Sequence, residues 1–80
     1  MKILIIGAGA VGFSIAKQLS AEGHDISVVD ANPKLTRKIT EKLDVSITTG
    51  NATSPSVLEA AGVEEADMVL AVTTSDEVNI

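Results

Sequence analysis

Fully apolar runs alternate along this chain with stretches whose apolar residues recur at helical spacing. Ile3-Leu4-Ile5-Ile6 is the first run, and it has no polar face. Such a strand belongs in a parallel sheet covered by helices on both sides. Val11, Ile15 and Leu19 then fall at i, i+4 and i+8, flanked by Ala8, Gly12 and Ala16. They predict a buried stripe on a helix from about Ala10 to Glu22, ended by Gly23. Phe13 lies off that stripe and is expected half-exposed over a neighbouring turn, the alternative being a contact with a partner subunit. A second apolar strand runs from Ile26 to Val29 and is closed by Asp30. Asn32-Pro33 follows as a helix opening, Asn at the N-cap and Pro in the first turn. Leu35, Ile39 and Leu43 are the buried side of this second helix, and Lys34, Arg37, Lys38 and Lys42 read as its solvated face.

The second half repeats the alternation with weaker strands. From Asp44 to Thr49, Val45, Ile47 and Thr49 alternate with Ser46 and Thr48, a half-polar pattern that suits a sheet edge. Ser54-Pro55 caps a third helix, with Ser56-x-x-Glu59 as an alternative capping box. That helix ends near Gly62, and Glu64 and Glu65 read as a solvated turn. Met68 to Val72 is a fourth, fully apolar strand leading to Thr73-Thr74, and Thr74-x-x-Glu77 predicts a fourth helix starting near Ser75.

The turn after the first strand carries the candidate chemistry. Gly7, Gly9 and Gly12 have the spacing G-x-G-x-x-G between a strand and a helix. The first glycine permits a tight turn, the second lets a pyrophosphate approach the backbone, and the third brings helix and strand together. The free N–H groups at the start of the helix favour an anion there. Asp30 comes 18 positions after Gly12, near the ~20 expected of an acid that accepts hydrogen bonds from ribose hydroxyls. A carboxylate there repels a 2′-phosphate, so NAD(H) is expected over NADP(H). Gly50-Asn51-Ala52 ends the third strand. Asn51 is placed either to bond an adenine edge or ribose, with small Ala52 beneath the base, or simply to make a turn. His24, the only histidine, precedes the second strand. Ligands in such sheets bind beyond the carboxyl ends of the strands, so His24 reads as a surface turn residue.

Right-handed crossovers place the second and third strands on one side of the first. The doubly wound arrangement sends the fourth to the other side. The expected fold is therefore α/β, a Rossmann-like doubly wound parallel sheet in the order 3-2-1-4, cut off after the fourth strand. The glycine turn and Thr73-Thr74 then face one crevice. The threonines would lie near phosphates or a second nucleoside, or would cap the next helix. An apolar fourth strand at a bare edge is a feature folded proteins avoid. Residues 1–80 are therefore expected to be the front part of a longer dinucleotide-binding domain, or to have that edge covered by another chain.

Composition narrows the partners. The chain has 80 residues, 45% hydrophobic and 21% charged, with net charge −5. That suits one small globular domain. One Phe, no Tyr and no Trp leave no base-stacking platform. The acidic balance disfavours a nucleic-acid backbone. The absence of cysteine excludes disulfides and thiolate chemistry. The dispersed carboxylates Glu64, Glu65, Asp67, Asp76 and Glu77 form no metal-ligating set. No signal peptide or membrane-length apolar run is present, and a soluble, cytoplasmic chain is expected.

Over its full length the sequence resembles a known family, the N-terminal NAD-binding (RCK or KTN) domain of TrkA-type potassium-uptake regulators. The resemblance rests on Met1 to Gly12, Val29-Asp30-Ala31-Asn32-Pro33, Gly50-Asn51-Ala52-Thr53-Ser54, Val57-Leu58, Ala61-Gly62 and Ala66-Asp67-Met68. It extends through the tail from Ala71 to Asn79. It implies a Rossmann-type domain binding NAD(H), in some members ATP or ADP, that regulates a potassium transporter rather than catalysing a reaction. It further implies a homo-oligomer, a ring or dimer, at the cytoplasmic face of the membrane and against the transporter's membrane subunit. By position, the glycine-turn ligands would be Gly7, Ala8, Gly9, Ala10 and Val11, with Asp30 on the ribose and Thr73-Thr74 after the fourth strand. Asn51 stands where many relatives have Asp. The alternative function is the cofactor-binding half of an NAD-dependent dehydrogenase. Nothing in the chain supplies its acid or base: it has no Tyr and no Cys, and His24 lies at the wrong end of its strand.

Overall fold

The computed structural model describes residues 1–72. The expected helix from Ser75, and Thr73-Thr74 before it, lie outside the described residues. Four strands, β1 (Lys2–Ile6), β2 (Asp25–Asp30), β3 (Ser46–Thr49) and β4 (Met68–Ala71), form one sheet in the order 3-2-1-4. Every pairing is parallel, with Ile5 beside both Val28 and Leu70. The crossovers are α1 (Ala10–Ala21), α2 (Pro33–Lys42) and α3 (Pro55–Ala60), the last followed by a 3₁₀ turn over Val63–Glu65.

The sheet is buried on both faces at its centre. Ile3, Ile5, Ile26 and Val28 point to one side and pack with Ala16 of α1 and Ile39 of α2. Leu4 and Val29 point to the other and meet Ala61, Val57 and Leu58. Period-2 alternation would have left one face in water, so the unbroken run in β1 is what a two-sided sheet requires. β3 lies at one edge, as its half-polar sequence predicted. Its span is shorter than the sequence pattern suggested, because Asp44 and Val45 approach the sheet without pairing.

Local signals act largely as read. Asn32 Oδ1 accepts from Lys34 N–H at 2.9 Å, capping α2, and Pro33 is its first residue. Gly23 follows α1 and Gly62 follows α3, with φ of 92° and 87°, where a Cβ is unfavourable. Ser54 is the N-cap of α3, but its hydroxyl pairs with Ser56 Oγ at 3.0 Å instead of accepting from a backbone N–H of the helix. The stripe on α1 is rotated from the expected one. Gly12 and Ala16 are buried and Ile15 and Leu19 half-buried, while Val11 is 54% exposed. Small residues on the contact line let α1 lie close to the sheet, and Val11 falls about 100° around from Gly12. Phe13 is half-buried and packs against the main core.

Among the described residues no strand pairs with the outer side of β4. Met68 and Val69 project to opposite faces and are 41% and 45% exposed. Its start is held by a reciprocal pair: Lys2 N–H donates to Asp67 Oδ2 at 2.8 Å, and Asp67 N–H donates to the Lys2 carbonyl at 2.7 Å. No helix among the described residues is long and apolar enough to cross a membrane.

Candidate functional site

The site is assembled at the carboxyl ends of β1, β2 and β3. β1 ends in Gly7, whose φ of 120° only glycine adopts without strain. Gly7 N–H donates to the Val29 carbonyl at 2.8 Å, so the turn leaves the sheet tied to β2. Gly9 is the N-cap of α1, and no side chain caps that helix. Its first N–H groups are therefore left for an outside acceptor. Gly12 is buried beneath the turn, where a Cβ would collide with the Gly7 carbonyl oxygen. Gly7 and Gly12 thus have separate physical reasons to lack a side chain, the turn and the close contact of helix and strand.

Asp30 is the hub. Its Oδ2 accepts from Ala8 N–H at 2.7 Å and its Oδ1 from Asn32 N–H at 2.8 Å. Its carbonyl accepts from Gly50 N–H at 2.9 Å. One residue therefore ties the glycine turn, the entry to α2 and the end of β3. A carboxylate has about four lone-pair positions, so two remain for hydroxyl donors after these bonds. Asn51 makes the turn that the sequence allowed: its Oδ1 accepts from Thr53 N–H at 2.9 Å and Thr53 Oγ1 at 2.8 Å. That leaves its amide N–H groups as the donors able to face a ligand.

These elements enclose a cleft of about 360 Å³ in which Gly7, Gly9, Asp30, Asn51 and Ala52 come together, with Leu35 and Val72 as apolar walls. Its size is in the range of small-ligand sites. The remaining expected residues are placed differently. Ala8 and Ala10 line a neighbouring groove, Val11 is exposed beside the turn, and Gly12 lies beneath it. Thr73 and Thr74 lie outside the described residues. Leu35 was read from the sequence only as core; its i, i+4 spacing with Ile39 gave no sign that it also walls the cleft. His24 is half-buried before β2, at the opposite end of the sheet, with Nε2 3.8 Å from Glu22 Oε1. A second cleft, of about 250 Å³, opens at that end around Ser27, Ser46 and Thr48. It has neither the G-x-G-x-x-G turn nor the start of an α-helix, its glycine being Gly62 before the 3₁₀ turn. No group of three or more potential metal ligands occurs among the described residues.

A parallel sheet in the order 3-2-1-4 with a glycine turn at its switch point defines a Rossmann-like domain of the doubly wound class. Comparison with known proteins is specific within that class. The chain belongs to the TrkA-N domain family, whose model matches residues 3–80. The Trk system potassium uptake protein TrkA of Azorhizobium caulinodans is 50% identical over all 80 residues, and that of Vibrio alginolyticus 45%. A TrkA homolog of Pyrococcus abyssi is 39% identical over the same length. The chain spans 18% of the two bacterial proteins and 35% of the Pyrococcus protein. Among solved structures, the Kef CTD of Shewanella denitrificans in its AMP-bound form matches 99% of this chain with a TM-score of 0.72 and 28% identity. The match covers 47% of the Kef chain.

Proposed function

We propose that the cleft around Asp30 binds the AMP half of an adenine nucleotide, NAD(H) in the first place, and that binding regulates a potassium uptake system. The observation that carries this reading is Asp30 itself, half-buried at the carboxyl end of β2 and bonded to the glycine turn with two lone-pair positions to spare. In this reading those positions accept the ribose 2′- and 3′-hydroxyls. The free N–H groups at the start of α1 face the pyrophosphate, and the Asn51 amide and Ala52 lie against adenine. Gly7, Gly9 and Gly12 shape the turn, Ala8, Ala10 and Val11 supply its backbone, and Thr73-Thr74 serve the second half of the ligand. The AMP-bound Kef relative supports the adenine side of this assignment. The same half is common to ATP and ADP, the alternative ligands.

The family and the TrkA relatives support a regulatory role. The chain is read as the front part of a longer nucleotide-binding domain that works as a homo-oligomer at the cytoplasmic face of the membrane, against the transporter's membrane subunit. The exposure of Met68 and Val69 on β4, which has no outer strand among the described residues, supports that reading. No catalytic residue is assigned. Regulation requires only that the nucleotide bind two states of the assembly with different affinity.

Calorimetric titration of NADH, NADPH and ATP into the full-length protein and its Asp30→Ala variant is the test. NADH is expected to bind more tightly than NADPH, and Asp30→Ala to weaken NADH. Equal NADH and NADPH affinity would overturn the ribose role of Asp30. Tighter binding of ATP than NADH would move the assignment to a mononucleotide sensor.

A further inference from the structure

On the other side of the glycine turn lies a groove that the nucleotide reading leaves unused. It opens between the start of α1 and the flank of α2 and encloses about 350 Å³, a size suited to a small ligand. Ala8, Ala10, Phe13 and Leu35 form its apolar walls, and Lys38 and Lys42 line it too. Ala8 is buried and Phe13 and Leu35 are half-buried, whereas both lysines are exposed. The α1 side of the groove is therefore hydrocarbon, and the α2 side sets Leu35 beside two cations.

The charge is local and, among the described residues, without an ion-pair partner. Lys38 and Lys42 stand one helical turn apart, and like charges at that spacing repel. Among the described residues the only contact within ion-pair distance is that of His24 Nε2 with Glu22 Oε1, so neither lysine has a carboxylate there. α2 carries four of the chain's six cations against the single acid Glu41, in a chain whose net charge is −5. An anion attracted to this acidic chain has α2 as its favoured place. Of the four cations, only Lys38 and Lys42 also border the apolar walls; Arg37 lies on a different cavity, beside Thr36 and Thr49.

We propose that this groove is a second binding site, for a small amphiphilic anion. A carboxylate or phosphate group sits between the Lys38 and Lys42 ammonium groups, and an apolar body lies along Phe13 and Leu35. Lysine suits this task because its ammonium is a mobile point charge that serves either head group. The head group relieves the repulsion between the two lysines, and the apolar body removes the exposed parts of Phe13 and Leu35 from water. The site is separate from the cleft at Asp30, although Gly9 and Leu35 line both. It does not depend on which nucleotide that cleft takes.

Calorimetric titration of octanoate, octyl phosphate and octanol into the full-length protein tests this. One saturating event per chain is expected for octanoate, octyl phosphate or both, and none for octanol at the same concentrations. Whichever anion binds identifies the head group. Lys38→Glu and Lys42→Glu are each expected to weaken binding by about tenfold, the loss of one charge-assisted contact turned to repulsion. Arg37→Glu makes the same charge change on the same helix and is expected to stay within about twofold, through the screened field only. Binding by neither anion, or octanol binding as tightly as the anions, would overturn the site. So would an Arg37→Glu effect equal to that of Lys38→Glu, which would reduce the lysines to a diffuse field.

Discussion

Replacing Asp30 by alanine removes two acceptors on which the glycine turn and the entry to α2 depend, before any ligand is considered. The Ala8 N–H bond to Oδ2, at 2.7 Å, is part-buried, and the Asn32 N–H bond to Oδ1, at 2.8 Å, is exposed. Bonds to a charged group contribute about 1.5–3 kcal/mol when shielded from water. The exposed one falls toward the ~0–1 kcal/mol of solvated electrostatic contacts. The Ala8 bond therefore carries most of the effect, about 1–2 kcal/mol after partial exposure. The strand register is unaffected, because the Asp30 carbonyl still accepts from Gly50 N–H. The loss is confined to the turn and is best read locally, by amide hydrogen exchange in the ligand-free full-length protein. At about 1.4 kcal/mol per tenfold, Ala8 N–H should exchange roughly five- to thirtyfold faster in Asp30→Ala. Asp30→Asn should fall between, since its carbonyl oxygen can serve one amide while its NH₂ group faces the other donor. Unchanged protection of Ala8 in Asp30→Ala would refute the role of the carboxylate as the organiser of the turn.

Three further outcomes follow from the packing. Gly12→Ala places a Cβ against the Gly7 carbonyl oxygen; a loss of about 3 kcal/mol or more is expected, read as a collapse in soluble yield or in thermal midpoint. Thr36 is 3% exposed, and its Oγ1 donates to the Pro33 carbonyl at 3.1 Å and pairs with Thr49 Oγ1 at 2.8 Å. Thr36→Val keeps the shape and should cost about 1 kcal/mol, measured by denaturant midpoint, and the loss should be smaller in a Thr49→Val background, where the bond between the two hydroxyls is already gone. At Gly62 the φ of 87° leaves room for a side chain but not for its backbone preference. Gly62→Ala should therefore cost about 1 kcal/mol from strain, and an increase in thermal midpoint would contradict the left-handed turn.

Much of this molecule is legible in local pattern. The unbroken apolar run of β1, the Asn32-Pro33 opening of α2 and the glycines after α1 and α3 act through neighbours a few residues away, so their signals are contained in short windows of sequence. The G-x-G-x-x-G spacing is of the same kind: it encodes a turn, a close approach and a helix contact that all fall within one strand-to-helix link. Asp30 was singled out as a ligand group by its distance from those glycines. That its carboxylate also bonds the Ala8 and Asn32 amides was not legible, because the bond to Ala8 spans 22 positions and exists only once β1 and β2 are paired.

The places where pattern misled share one cause. Val11, Ile15 and Leu19 are the larger apolar residues of α1, but the contact line runs through Gly12 and Ala16, since close approach to the sheet selects small residues. The Lys38–Lys42 flank reads as a solvated face in one dimension. Leu35 shares the i, i+3, i+7 row of α2 with these lysines, and only the tertiary structure brings Phe13 of α1 to it and makes a groove. The sequence by itself determined the elements, their order and the glycine turn with Asp30 beside it, because periodicity and turn chemistry act over a few bonds. The tertiary structure decided which face of α1 is buried, what the Asp30 carboxylate holds and where charge meets an apolar wall. Those depend on contacts between segments whose separation along the chain carries no record of their distance in space.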